Sequence, residues 1–162
     1  MYAQLTERLE ETNSWCPTMA EGMPENGQTI LLVEDEQFVR EVTCEVLQSA
    51  GYRVLAAKNT LEAASLYEQY GTQVELLLTD MILPGETGLA LACRLRRGNP
   101  RLNLLLVTGY AMQMELRELK PEEVLAKPFS TETLLRRVRH LLNGEGRQTV
   151  GGNSMRQACG AA

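Results

Sequence analysis

The stretch Val74-Glu75-Leu76-Leu77-Leu78-Thr79-Asp80, followed by Met81-Ile82-Leu83-Pro84-Gly85-Glu86-Thr87-Gly88, decides the fold. A short, nearly continuous apolar run bounded by turn residues is the pattern of a strand buried on both faces, as in parallel sheets. Pro84, Gly85 and Gly88 then force a loop. Asp80 therefore stands at the C-terminal end of a buried strand, where open α/β sheets gather their chemistry.

Three further runs end in polar groups. Thr29-Ile30-Leu31-Leu32-Val33 leads into Glu34-Asp35-Glu36. Leu104-Leu105-Leu106-Val107 leads into Thr108-Gly109-Tyr110, and Val124-Leu125-Ala126 into Lys127-Pro128-Phe129. If the first and third strands are neighbours, Glu34, Asp35 and Asp80 form a set of oxygen donors suited to a hard cation such as Mg2+. A cation would relieve the repulsion between such carboxylates. The competing reading makes Glu34-Asp35-Glu36 a solvated acidic helix start, placed there by the helix dipole. A hydroxyl and an ammonium beside clustered carboxylates supply what phosphoryl transfer needs, namely positioning and charge stabilisation.

Between the runs the period changes to that of helices. Phe38, Val39, Val42, Val46 and Leu47 share one face of a helix over residues 37–50, closed by Gly51. Tyr52–Ala57 is an expected strand, and Asn59 with Glu62 resembles a capping box opening a helix that stops at Gly71. Helices are expected over 87–97 and, in short form, over 111–118. Ser130 caps a last helix running to Asn143. Five βα units imply an α/β fold with a doubly wound parallel sheet, flavodoxin-like, in strand order 2-1-3-4-5. Residues 28–144 form the expected domain; residues 1–27 and the Gly-rich stretch 145–162 are expected to be flexible.

Taken together, Val33-Glu34-Asp35, Asp80 with Pro84 and Gly88, Thr108-Gly109 and Lys127-Pro128-Phe129 resemble the response-regulator receiver domain of two-component signalling. The resemblance covers Thr29 to Gly144. It implies that Asp80 is the phosphoacceptor and that Thr108 and Lys127 contact the phosphoryl oxygens. Mg2+ would be the cofactor, held by Glu34, Asp35, Asp80 and the backbone carbonyl of Ile82. The Lys127-Pro128 peptide would be cis. The chain departs from the family at Val124, where many members carry Tyr or Phe as a rotameric switch. The implied partners are a sensor histidine kinase or a phosphotransfer protein. An output partner would read the surface built by the fourth helix, fifth strand and last helix. Such a chain is a phosphoacceptor rather than an enzyme in its own right. The alternative is the C-terminal receiver module of a hybrid sensor histidine kinase, and the wording around Thr108 and Lys127 resembles those modules.

Composition bounds the rest. The 162 residues carry a net charge of -5, which argues against a nucleic-acid surface. No apolar stretch approaches the length of a membrane span, and the acidic N-terminal segment lacks a signal core. The four cysteines show no CxxC spacing and fit reduced thiols, so a cytoplasmic location is expected. His140, the single histidine, follows Arg136, Arg137 and Arg139 near a helix end and is read as structural.

Overall fold

The apolar runs form five strands: β1 (Thr29–Val33), β2 (Arg53–Ala57), β3 (Val74–Asp80), β4 (Asn103–Thr108) and β5 (Val124–Ala126). Among the described residues four helices alternate with them: α1 (Gln37–Ser49), α2 (Thr60–Tyr70), α3 (Gly88–Gly98) and α4 (Thr131–Leu142). The computed structural model of the protein describes residues 27–109 and 119–144. The helix expected over 111–118 and the segments 1–26 and 145–162 lie outside the described residues. Every strand pair is parallel and the order is β2-β1-β3-β4-β5, the flavodoxin-like α/β arrangement expected from the runs.

Side chains on a strand alternate between faces, so a parallel sheet covered on both sides builds two cores. Leu31, Val33, Leu77, Leu104 and Leu106 face one way and meet Ala63 of α2 and Leu91, Ala92 and Leu95 of α3. Ile30, Leu32, Leu76, Leu78, Leu105 and Val107 face the other way and meet Cys44 and Leu47 of α1 and Leu134 and Val138 of α4. The chain offers both faces leucine and valine, which is why the runs lack the polar alternation of a half-exposed strand.

Local signals act as the chain suggested. Gly51 takes φ 90° just past α1. Asn59 accepts the Glu62 amide at 2.8 Å, while the Glu62 carboxylate accepts the amide of Lys58, one residue outside a strict capping box. Ser130 accepts the Thr133 amide at 3.2 Å and opens α4. The approach to β5 is a 3-10 turn over Pro121–Glu123. Arg96 anchors that turn through Glu123 at 2.7 Å and also donates to the Leu102 carbonyl at 2.8 Å. Arg137 donates to the Pro121 carbonyl at 2.9 Å. Cys44 is a buried, reduced thiol, as expected.

The two-faced core makes a direct prediction. Leu77 is fully buried on the central strand, so Leu77→Ala should cost about 2–5 kcal/mol of folding stability. Urea unfolding measures it, and a loss under about 1 kcal/mol would contradict a close-packed core there.

Candidate functional site

Register brings the polar strand ends together. Val33 lies opposite Ala57 and Thr79, Asp80 opposite Val107, and Thr108 opposite Ala126. The residues just beyond are then stapled to the neighbouring strand. Glu34 N donates to the Ala57 carbonyl at 3.1 Å, Met81 N to Val107 at 2.8 Å, and Lys127 N to Thr108 at 2.8 Å. The Lys127-Pro128 peptide is cis, as expected.

On this frame Lys127 reaches from β5 across β4. Its ammonium contacts the Asp80 carboxylate directly and lies 4.0 Å from Glu34 Oε2. Asp80 is further oriented by the Ile82 amide, which donates to Oδ1 at 3.0 Å. The Ile82 side chain itself is exposed at the rim. Glu34 is 8% exposed and accepts the Glu36 amide at 3.2 Å through Oε1. Asp35 and Glu36 are exposed. The acidic triplet thus divides between its two readings: Glu34 turns into the site, and Glu36 is the solvated residue before α1. Thr108 is fully buried, and its hydroxyl donates to the carbonyl of Gly109 at 3.1 Å. Of the expected site residues, Glu34, Asp80 and Lys127 are in mutual contact or near it. Asp35 acts on them through its charge. Thr108 sits beside them with its hydroxyl engaged locally.

Electrostatics follow from this crowding. Burial pushes the Glu34 carboxyl above its ordinary 4.5, and the charges of Asp80 and Asp35 push the same way, against the Glu36 amide and Lys127. For Lys127, burial alone would lower the ammonium. The hydrogen bond to Asp80 and the charges of Asp80, Glu34 and Asp35 outweigh it and hold the group above 10.5.

A carboxylate such as Glu34, its proton affinity raised by burial and by its acidic neighbours, is the donor chemistry a hard divalent cation satisfies, and Mg2+ needs few protein ligands because it keeps much of its water. The residues present fit such an ion in kind. As they stand, no three acidic, histidine or cysteine side chains among the described residues converge tightly enough to enclose a metal. The ammonium of Lys127 bridges Asp80 and Glu34 instead.

One contributor escaped the sequence reading. Arg40, one turn into α1, donates through Nη1 to the carbonyls of Glu34 at 2.7 Å and Asp35 at 3.2 Å. It holds the backbone of the acidic pair from behind. Its position on the helix that follows those acids was the available signal. Among the described residues no helix is long and apolar enough to cross a membrane.

The family model for the response regulator receiver domain matches residues 30–139. The chain belongs to that family. It is 36% identical over 117 residues to the sensor kinase CckA of Brucella abortus, covering 70% of this chain and 12% of that protein. It is 32% identical to the response regulator receiver protein CpdR of the same organism, covering 70% of this chain and 95% of that one. Among solved structures, the receiver domain of the hybrid histidine kinase CckA superposes with a TM-score of 0.56 at 32% identity, over 70% of this chain and 98% of that one. The chain is thus a receiver domain of two-component signalling. Its family is one of signalling receivers rather than of catalytic enzymes.

The raised Glu34 sets a pH prediction. A carboxyl raised in the fold binds its proton more tightly there than in the unfolded chain. Its protonated form therefore adds stability that is lost as pH rises through the folded value. Between pH 4.5 and neutrality the wild type should lose stability relative to Glu34→Gln, whose side chain does not ionise. Urea unfolding across that range checks it, and parallel pH profiles for the two proteins would refute the assignment.

Proposed function

We propose that this receiver is a phosphoacceptor switch in which Asp80 takes a phosphoryl group from a kinase or phosphotransfer-protein phosphohistidine. The observation that carries the reading is the contact between the Lys127 ammonium and the Asp80 carboxylate at the end of the central strand. An Asp80 oxygen attacks phosphorus in line, the new O–P bond forms, and the P–N bond breaks. Its electron pair goes to the imidazole nitrogen of the donor, which leaves and takes up a proton. A bound Mg2+, held by Glu34, Asp35, Asp80 and the Ile82 carbonyl, would neutralise charge on the transferring group. The chain's own part is positional. The Ile82 amide aims one carboxylate oxygen. Lys127 holds the carboxylate through its ammonium and then serves the phosphoryl oxygens, joined by the Thr108 hydroxyl once it leaves Gly109. The domain proper is residues 28–144, and the output surface includes β5 and α4. The work takes place in the cytoplasm, where kinases of this class place their receivers.

A second reading, the receiver module of a hybrid sensor histidine kinase, is supported by the 36% identity to the CckA sensor kinase. Phosphotransfer profiling against the histidine kinases of the source cell would separate the two readings. Labelling only by a kinase whose ATPase module is encoded immediately upstream favours the hybrid. Labelling by a separate kinase favours the independent regulator.

Acetyl phosphate with Mg2+ should add one phosphoryl group to the wild type and none to Asp80→Asn. Intact-protein mass spectrometry is the measurement, and equal labelling of the variant would sink the assignment.

The switch should run through Thr108. Val124 is aliphatic and partly buried against the core, so it has no ring to swing inward. Adding beryllofluoride, a phosphoryl mimic, should shift the amide resonance of Thr108 more than that of Val124. A silent Thr108 beside a shifted Val124 would reverse this.

A further inference from the structure

The loop after Asp80 contains two glycines with different jobs. Gly85 takes φ 88°, and a Cβ there would meet nothing within 4 Å, so it serves the turn. Gly88, the first residue of α3, is not in the left-handed region. What it lacks is space. A Cβ on Gly88 would lie 2.0 Å from the backbone oxygen of Asp80, 3.0 Å from its carbonyl carbon and 2.8 Å from Thr79 Oγ1. The first turn of α3 is therefore pressed onto the peptide of Asp80, and the Gly88 amide holds it there through a 3.0 Å bond to the Met81 carbonyl.

Thr79 completes the contact. It is fully buried and lies opposite Val33 and Leu106, where a valine would suit the apolar surroundings better. A buried hydroxyl is costly unless it is bonded. Here Thr79 Oγ1 donates to the Asp80 carbonyl oxygen at 3.1 Å. One oxygen thus receives a hydroxyl from its own strand and rests against a bare helix residue.

We propose that Thr79 and Gly88 are positioning residues for phosphoryl transfer: the hydroxyl of one and the missing side chain of the other hold the Asp80 peptide plane, and with it the direction of the carboxylate. This inference rests on the reading of Asp80 as the acceptor. Neither residue touches the reacting atoms. Both act through the backbone from which the carboxylate projects. In-line attack is sensitive to placement, and a displacement of about 1 Å can cost roughly a hundredfold in rate. Lys127 and the Ile82 amide hold the carboxylate from its free end, so a tilted peptide would pull against both.

The experiment is saturation kinetics of labelling by acetyl phosphate with Mg2+, alongside thermal unfolding, for Thr79→Val, Thr79→Ser, Gly88→Ala and Asp80→Asn. Thr79→Val keeps the branched shape and removes the donor; Thr79→Ser keeps the donor. The expected result is a maximal rate about tenfold lower in Thr79→Val and Gly88→Ala, a barrier change of about 1.4 kcal/mol, with the half-saturating donor concentration little changed. Thr79→Ser should stay within about twofold of wild type, since it retains the hydrogen bond. If Gly88→Ala fails to fold, the Val and Ser pair at Thr79 decides alone. Wild-type maximal rates in both Thr79 variants would overturn the inference while leaving the acceptor in place, provided Asp80→Asn is unlabelled. Equal slowing of Val and Ser variants in step with lost thermal stability would also overturn it. Labelling of Asp80→Asn at the wild-type level would overturn the acceptor reading and this inference together.

Discussion

The contact of Lys127 with Asp80 and Glu34 joins three strands that are far apart in sequence, and the site exists only because the sheet aligns their ends. A sheet covered on both faces has no lateral surface that can carry charge. Its ionisable groups must sit where strands stop, and in a parallel sheet all strands stop at one edge. The same apolar burial that drives folding therefore concentrates negative charge there. An ammonium in their midst offsets the mutual repulsion of the carboxylates. Its own side chain is 40% exposed, against 13% for Asp80 and 10% for Glu34, so the cation keeps access to water while the anions are largely dry. That asymmetry leaves Lys127 able to follow added negative charge without stranding itself.

The strands were legible because the leucine and valine runs of β1, β3 and β4 are long and unbroken enough to need two covering layers, and their order because repeated βα units wind such a sheet in few ways. The strand-end residues were legible for the same reason: Glu34, Asp80, Thr108 and Lys127 are the first polar groups at which a buried run can end, counting Thr79 as an interior exception. Helix boundaries followed Gly51, Asn59 and Ser130, whose chemistry acts over a few residues and needs no tertiary context.

What the sequence hid were contacts that depend on where the chain returns. Arg40 closes back from α1 onto the carbonyls of Glu34 and Asp35. Gly88 read as a loop residue, and its real constraint is the distance to a peptide eight positions earlier. The Arg96–Glu123 pair joins α3 to the turn before β5 and has no short-range signature.

Two hydroxyls in equivalent chemical settings complete the logic of the site. Thr79, one residue inside the end of β3, and Thr108, the last residue of β4, are both fully buried, and each donates to a backbone carbonyl one residue on, at 3.1 Å in both cases. Their surroundings differ. The carbonyl that Thr79 holds is pressed by Gly88 and belongs to Asp80, so releasing it disturbs the proposed acceptor and the start of α3. The carbonyl that Thr108 holds belongs to Gly109, where an added Cβ would meet nothing within 4 Å. Turning the Thr108 hydroxyl away exchanges one neutral hydrogen bond, a net change of about 1 kcal/mol, while the backbone bond from Lys127 to Thr108 keeps β4 and β5 paired. An incoming phosphoryl oxygen is charged and offers a stronger acceptor than a carbonyl. On the proposed reading of Asp80, the arrangement couples a rigid acceptor to a donor that can be recruited at small cost, which is the division of labour a phosphorylation switch requires.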